Sequence, residues 1–347
     1  KMPDCRSAQH SGGREFLHDD TDEHHRRRNQ SAKFHDDHDD DGSISSSATI
    51  DSCETYINFT SIRDPTTQLE EGVSFTWPGV YEDCESEEVQ GRNGPPRQLR
   101  KIVLSTLLEE DDLAPLFDGS RWAGTRLWGA AVRAIQYIST QPELMPTGIG
   151  ASDGDNKKNI TMLELGCGLG VPGMIYHMLG GSVVLTDQAN ILSQLEKNVV
   201  ANFPETALSS DGLGPENRWP IATNPDSDAK KNQIIRAMPL SWSRDDTSNL
   251  LRTLGLSETG FDIVINCDCV YEPLYGKSWR MLLETIDELL RVNPKCKVVT
   301  SVERRQADGI DKFLAEMNRL KNVGGVEKVM ADEEKKIEIF VTTGVVS

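Results

Sequence analysis

A glycine-rich loop between a predicted strand and a predicted helix carries residue types that can hold a polar ligand. The apolar strand ITMLELG passes into the loop GCGLGVPG, with glycines at Gly166, Gly168 and Gly170. Glycines let the backbone approach a ligand closely, and Pro172 suits the first turn of a helix, whose free N–H groups attract anions. Asp187 ends the next predicted strand, where a carboxylate can accept hydrogen bonds from both hydroxyls of a ribose. The pattern predicts a ribose-containing cofactor.

The loop alone leaves the identity of that cofactor open. Glu164 precedes the first glycine by two residues, and the glycines follow G-x-G-x-G instead of the G-x-G-x-x-G of dinucleotide-binding loops. NAD and S-adenosylmethionine are both candidates, and a tight turn without a ligand is the structural alternative. Cys167, inside the loop, is interpreted as a small filler, with a reactive thiol as the alternative.

Strands and helices alternate on both sides of the loop, which predicts the scaffold that positions it. The helix TRLWGAAVRAIQYIST precedes the loop, and SVVLTD, IIRAMPLSW, FDIVINCDCVY and CKVVTSVE follow as strands, with helices between most of them. FDIVINCDCVY is nearly continuous in apolar character, as expected for a strand covered on both faces. The end of the chain, GVEKVMADEEKKIEIFVTTG, is predicted to form two strands joined by a charged turn. This order indicates an open, mainly parallel α/β sheet.

Composition divides the chain into three segments. Residues 1–96 hold 21 acidic and 9 basic side chains, whereas residues 97–347 are nearly balanced, with 34 and 28. Residues 1–48 contain too few large apolar side chains to offset their ordering entropy and are predicted to be a disordered acidic, His-rich tail. Residues 49–96 are predicted to form a transitional segment with a hairpin and a linker, and residues 97–347 the α/β domain. The polar stretch at 209–232 is interpreted as an insertion of loop composition.

The composition also argues against several classes of function. Six of the seven histidines lie in the first 38 residues, and His177 alone is left for the rest of the chain, so we expect no metal site. A net charge of −18 argues against broad nucleic-acid binding, and the chain contains no apolar run of about 18 residues. The odd number of scattered cysteines, seven, favours a reducing compartment. We expect a cytoplasmic protein that also enters the nucleus, and a monomer.

Several further segments, taken in order, resemble one family. The segment AGTRLWGAAVRAIQYI resembles its entry helix, with Trp128 at the tryptophan, and MLELGCGLGVPG resembles its cofactor loop. VVLTD, NVVAN and LSW, the last ending in Trp242, are similar to its next segments. CDCVYEP matches a D-x-x-Y motif through Asp268 and Tyr271, and SVERR, with Glu303, is similar to the end of its fifth strand. Over roughly residues 97–345 the chain resembles the family-16, seven-β-strand protein lysine methyltransferases of class I.

The resemblance implies a fold, a cofactor and residue roles. The fold is a Rossmann-like, seven-stranded, mainly parallel sheet with helices on both faces and an antiparallel C-terminal hairpin. The cofactor is S-adenosylmethionine. Trp242 and Cys267 become candidates to line the adenine and Trp128 to border the methionine end, although both tryptophans also fit as plain core aromatics. The whole predicted cofactor-binding set is Trp128, Glu164, Gly166, Cys167, Gly168, Gly170, Asp187, Trp242 and Cys267.

The chemistry implied by the resemblance is in-line transfer of a methyl group to a deprotonated lysine amine. We assign Asp268 to capture and orient the incoming amine, with a helix cap as the structural alternative. Tyr271 lies three residues further on and can present a hydroxyl or a ring face to the amine. Glu303 is interpreted as an ion-pair partner for an arginine or as an acid behind the site.

Other functions stay open at this point. A methyltransferase acting on protein histidine or a small amine is the first alternative, and a catalytically idle cofactor-binding interaction module is the second. NAD-dependent oxidoreduction is disfavoured by the glycine spacing and by the lack of a Tyr-x-x-x-Lys motif. The expected partner is a lysine-bearing protein with a basic surface, because the acidic chain would attract it.

Overall fold

The computed structural model describes most of the chain from residue 57 onward. The described residues are 57–63, 70–77, 98–104, 124, 126–146, 160–204 and 233–346. The predicted disordered tail and the predicted insertion at 209–232 lie outside them.

Ten strands form two sheets among the described residues. The strands are β1 (Asn58–Arg63), β2 (Glu70–Trp77), β3 (Gln98–Val103), β4 (Thr161–Leu165), β5 (Ser182–Asp187), β6 (Ile235–Pro239), β7 (Ile263–Cys267), β8 (Lys297–Glu303), β9 (Val323–Asp332) and β10 (Ile337–Gly344). The larger sheet has seven strands in the order β6-β5-β4-β7-β8-β10-β9. Strands β4 to β8 pair in parallel, and β10 runs antiparallel to both β8 and β9. The predicted mainly parallel, seven-stranded sheet with an antiparallel C-terminal hairpin is confirmed.

Seven α-helices connect and cover these strands in the described part of the chain. They are α1 (Gly129–Ser139), α2 (Val171–Met178), α3 (Ala189–Asn202), α4 (Arg244–Leu254), α5 (Glu272–Tyr275), α6 (Trp279–Val292) and α7 (Ile310–Met317). The α1 helix starts at Gly129, four residues later than the periodicity from Thr125 suggests. Helix α4 was not predicted; Ser243 caps its N-terminus by accepting a hydrogen bond from the Asp246 N–H, and it ends at Gly255 with φ of 74°.

The central strand β4 shows how the sheet is buried on both faces. All five of its residues are buried, as expected for a parallel strand between two layers of helices. Met162 belongs to the core that also contains apolar side chains of α1, α2 and α3. Leu163 and Leu165 belong to the second core, with side chains of α4, α6 and α7. The alternation along β4 leaves Glu164 on the same face as Met162, beneath α2.

The smaller sheet consists of β1, β2 and β3. Its strands pair antiparallel in sequence order, so β3 joins the predicted hairpin and not the larger sheet. The smaller sheet is tied to α3 by Asn202, whose side chain accepts a hydrogen bond from the Val103 N–H at 2.8 Å and donates one to the Val103 carbonyl at 2.7 Å.

Candidate functional site

A cavity of about 450 Å³ opens at the carboxyl ends of β4, β5 and β7. Ligands bind at this edge in open α/β sheets, because the loops that follow the strands meet there. Nine of the eleven predicted site residues line the cavity, namely Trp128, Glu164, Gly166, Cys167, Gly168, Asp187, Trp242, Cys267 and Asp268. Gly170 and Tyr271 are not among its lining residues.

The glycine loop needs glycine for two different reasons. Gly166 has φ of 59°, and a Cβ atom there would lie 2.8 Å from the Cys269 sulfur, so this backbone forms part of the cavity wall. Gly170, with φ of 73°, is the residue that precedes helix α2. A Cβ atom on Gly170 would lie 2.7 Å from a Leu195 methyl group. Gly170 therefore serves the packing of α2 against the sheet.

Asp187 ties the end of β5 to the glycine loop. Its Oδ2 accepts a hydrogen bond from the Gly168 N–H at 2.8 Å, and its Oδ1 accepts one from the Gln188 N–H at 2.7 Å. Burial raises the pKa of Asp187 above its ordinary value, and the two backbone donors oppose that rise. A carboxylate oxygen has a second lone pair, so both oxygens retain acceptor capacity for hydroxyl groups of a ligand in the cavity.

Glu164 is a buried acid held under the helix that follows the loop. Its side chain is 2% exposed, and its Oε2 accepts a hydrogen bond from the Gly173 N–H in the first turn of α2 at 2.8 Å. Burial raises the pKa of Glu164 to about 8, more than the Gly173 hydrogen bond lowers it. Glu164 is therefore mostly protonated at neutral pH. It holds the end of the loop in place through the hydrogen bond that it accepts from the Gly173 backbone.

Replacing Glu164 by glutamine should change how stability depends on pH. The native pKa lies above the unfolded value, so the wild type loses stability as pH rises from about 4.5 toward 8, by up to about 1.4 kcal/mol per pH unit. Glu164→Gln removes this loss. Between about pH 5 and pH 8, the free energy of unfolding of the variant, measured with urea, should therefore rise by a few kcal/mol relative to that of the wild type. Parallel pH profiles would contradict the buried, protonated acid.

Glu288→Gln is the matched control. The Glu288 side chain is also buried, but the hydrogen bond from Arg291 holds the pKa of Glu288 below its ordinary value. Its stabilising contribution is complete above the unfolded pKa and is lost only in more acidic solution. Glu288→Gln should therefore lower the free energy of unfolding equally at about pH 5 and at about pH 8.

Three thiols lie in the glycine loop or beside it. Cys167, Cys267 and Cys269 are free and line the cavity, and burial raises the pKa of each thiol above its ordinary value. A thiol that stays protonated is a weak nucleophile, which favours the filler interpretation of Cys167 over the reactive-thiol one.

Aromatic side chains form the wider walls of the cavity. Trp128 and Trp242 both line it and are half-buried, so neither is the plain core aromatic of the alternative interpretation. Tyr275, which was not predicted, also lines the cavity, and burial raises its pKa above the ordinary value, so the phenol stays protonated.

Asp268 lies at the end of β7 in a strained backbone conformation. Its φ is 56°, unusual for a residue other than glycine, and it is 7% exposed. The Asp268 N–H donates to the Ser301 carbonyl at 2.8 Å, and Oδ1 accepts from the Glu303 N–H at 3.1 Å. Helix α5 begins only at Glu272, after Tyr271, so Asp268 does not act as its cap.

Arg305 completes this corner of the site and was not predicted. Its Nη2 lies 2.6 Å from the Asp268 Oδ2 and 2.6 Å from the Glu303 Oε2, so the ion pair with an arginine predicted for Glu303 is present. The Arg305 guanidinium carbon lies 5.3 Å from the ring centroid of Trp128 and 5.2 Å from that of Tyr271. Tyr271 thus contacts the cation that pairs with Asp268, outside the cavity lining.

The described residues contain no group of three or more His, Cys, Asp and Glu side chains placed to hold a metal ion. In that part of the chain, no helix has the length and apolar character needed to cross a membrane.

Comparison with known proteins places this site in a family. A family model described as lysine methyltransferase matches residues 108–219 and 217–320, more than half of the chain. EEF1A lysine methyltransferase 3 of Xenopus tropicalis is 26% identical over 75% of this chain and 95% of its own length. Histidine protein methyltransferase 1 homolog of Dictyostelium discoideum is 26% identical over 67% of this chain and 62% of its own length.

A relative of higher identity matches a shorter stretch. Secreted RxLR effector protein 48 of Plasmopara viticola is 40% identical over 147 residues, 42% of this chain. The matched part covers 64% of that protein. The family model spans the cavity from the glycine loop to Asp268. The chain belongs to the lysine methyltransferase family, a group of S-adenosylmethionine-dependent methyltransferases.

Proposed function

We propose that this protein transfers a methyl group from S-adenosylmethionine to a lysine side chain of a protein. The observation that carries the proposal is the position of Asp268, which lines the cavity at the end of β7 while its backbone is held in a strained conformation. A carboxylate held in this way can bind and orient a cationic side chain beside the cofactor.

The cavity fits the cofactor by the chemistry of its lining. Asp187 and the backbone of Gly168 suit the ribose, and Trp242 with Cys267 suits the flat adenine. Trp128 and Asp268 both contact Arg305, so Trp128 borders the end of the cavity that lies near Asp268. An aromatic face attracts a sulfonium as it attracts other cations. S-adenosylmethionine supplies a methyl group attached to a positively charged sulfur.

The residues of the chain would act by positioning. A lysine amine has a reference pKa of about 10.4 and must lose a proton before it attacks. S-adenosylmethionine, held by the cavity lining at Asp187, Trp242 and Trp128, would supply the methyl group, and its positive charge would pass from sulfur to the methylated nitrogen, which leaves as an ammonium. A carboxylate stabilises the ammonium form, so we assign Asp268 to binding and alignment of the amine and not to its deprotonation.

The charge of the chain and its free thiols indicate the kind of substrate protein and the cell compartment. An acidic chain, with a net charge of −18, attracts substrate proteins whose surface is basic. Cys167, Cys267, Cys269 and Cys296 are free, which is typical of a reducing compartment such as the cytoplasm.

Methylation of a protein histidine is the second candidate, favoured by the similarity to the Dictyostelium histidine protein methyltransferase homolog. The D-x-x-Y motif at Asp268 and Tyr271, which resembles that of the lysine methyltransferases, favours lysine over histidine.

Labelling of a cell lysate with methyl-tritiated S-adenosylmethionine tests the proposal. We expect a discrete labelled protein band that survives nuclease and is lost with Asp268→Asn. Asp332→Asn is the matched control, because Asp332 also pairs with an arginine, Arg133, but lies on β9 and does not line the cavity. Label confined to nucleic acid or to small molecules would contradict the proposal.

A further inference from the structure

A cation of the chain itself pairs with Asp268, the carboxylate to which the proposed function assigns the substrate amine. The Arg305 guanidinium contacts two carboxylates, Asp268 and Glu303, each at 2.6 Å. It also lies about equally far from two aromatic rings, 5.3 Å from the centroid of Trp128 and 5.2 Å from that of Tyr271. We call this set of two acids and two rings the cation cage.

The chemistry of the cation cage is the chemistry that recognises an ammonium group. Carboxylates provide charge-assisted hydrogen bonds, and aromatic faces attract cations whether or not they carry N–H groups. A lysine amine and its methylated products are both cations of this kind. While Arg305 pairs with Asp268, that carboxylate is neutralised, and a second cation gains little from it.

Arg305 shares the placement of the Asp268 carboxylate with backbone groups. The carboxylate is already fixed by the Glu303 N–H on Oδ1, and the Asp268 backbone is fixed by its own N–H to the Ser301 carbonyl. The Arg305 side chain is also not fully buried. It is 21% exposed, compared with 4% for that of Asp268.

Glu303 is a second carboxylate that the Arg305 guanidinium contacts, through the same nitrogen, Nη2. The Glu303 side chain is 34% exposed, far more than that of Asp268. The guanidinium can therefore turn toward solvent on the long arginine side chain while it keeps the Glu303 ion pair. The cost of leaving Asp268 is thus smaller than the cost of breaking both contacts.

We propose that Arg305 occupies the acceptor-amine site as an internal surrogate of the substrate and must be displaced from Asp268 before an amine can bind. The proposal rests on the proposed function, and it makes Arg305 a specificity-determining residue. A free small amine carries too little binding energy to expel the guanidinium. A lysine on a protein surface gains the further contacts that pay for the exchange.

Binding of n-butylammonium, the side chain of lysine without its backbone, tests this directly. The protein loaded with S-adenosylhomocysteine is titrated with the amine and binding is followed by ligand-observed NMR. Arg305→Ala should bind n-butylammonium about tenfold or more tightly than the wild type, which corresponds to about 1.4 kcal/mol or more. The double variant Arg305→Ala with Asp268→Asn should lose that gain. Equal affinity of the wild type and Arg305→Ala would overturn the proposal.

Arg304→Ala is the matched control. Arg304 is the residue before Arg305, its side chain is 29% exposed, and it pairs with Asp308, Asp311 and Glu338 instead of Asp268. The Arg304→Ala variant should bind n-butylammonium as weakly as the wild type does. Thermal unfolding of each variant shows that differences in binding do not come from loss of fold.

Methylguanidinium separates the surrogate from a permanent support. In Arg305→Ala it should refill the cation cage and inhibit labelling of lysate protein, with little effect on the wild type. Restoration of lost labelling by methylguanidinium would instead make Arg305 a support of Asp268 and overturn the proposal. If no protein is labelled by any variant, the proposed function fails, whereas the n-butylammonium titration still decides the role of Arg305.

Discussion

Asp268→Asn is expected to lower kcat/KM for methyl transfer roughly a hundred-fold or more while S-adenosylmethionine binds within a few-fold of the wild type. Asparagine keeps an oxygen that can accept the Glu303 N–H, now 3.1 Å from Oδ1, so the fold around the site should persist. It loses the negative charge that holds a cationic amine in line, and misplacement of a reacting group by about 1 Å costs about a hundred-fold in rate. Initial rates with labelled cofactor, together with calorimetric cofactor titration, measure both quantities.

Asp332→Asn controls for the loss of a carboxylate paired with an arginine. It should retain the wild-type rate, because Asp332 and Arg133 join β9 to α1 and neither lines the cavity. If Asp268→Asn keeps the wild-type rate, Asp268 does not align the acceptor. A parallel fall in rate and in cofactor affinity would assign Asp268 to the cofactor instead.

Asp187→Ala should weaken binding of S-adenosylhomocysteine about a hundred-fold. The carboxylate holds the Gly168 N–H at 2.8 Å, and it is the acid that the cavity offers to a ribose at the end of β5. A hydrogen bond that involves a charged group contributes about 1.5 to 3 kcal/mol, and alanine removes those to the ribose and frees the loop. Isothermal titration calorimetry gives the affinity.

Asp262→Ala is the control for that change. Asp262 also accepts a backbone N–H, from Thr161 at 3.0 Å, but it lies at the start of β7, at the opposite edge of the sheet. Its loss should lower stability and leave cofactor affinity unchanged. Equal affinities of Asp187→Ala and the wild type would place the ribose elsewhere in the cavity.

The sheet could be predicted because its central strands carry an unambiguous pattern. The nearly continuous apolar run around β7 and the strand–glycine–helix order at β4 each predict a parallel strand. Helix α4 escaped prediction because its buried leucines, Leu250, Leu251 and Leu254, crowd its C-terminal half, and its first turns are polar. The pairing of β3 with the hairpin is a long-range choice, which local periodicity does not contain.

The candidate site was predictable where function and chain order coincide. Gly166, Asp187 and Asp268 each end a strand or open a loop, and strands of one parallel sheet bring such residues to one edge. The role of Arg305 depends on which strands are neighbours. Only the adjacency of β7 and β8, with Cys267 opposite Ser301, brings Asp268 beside Glu303 and Arg305.

Acid hydrolysis of the labelled protein band distinguishes lysine from histidine as the methyl acceptor. The band is excised after reaction with methyl-tritiated S-adenosylmethionine, hydrolysed, and its radioactive amino acids are separated against methyl-lysine and methyl-histidine standards. We expect the label to coelute with methyl-lysine and to be absent when Asp268→Asn replaces the wild type. Label that coelutes with methyl-histidine would contradict lysine as the acceptor and leave Asp268 without the role assigned to it.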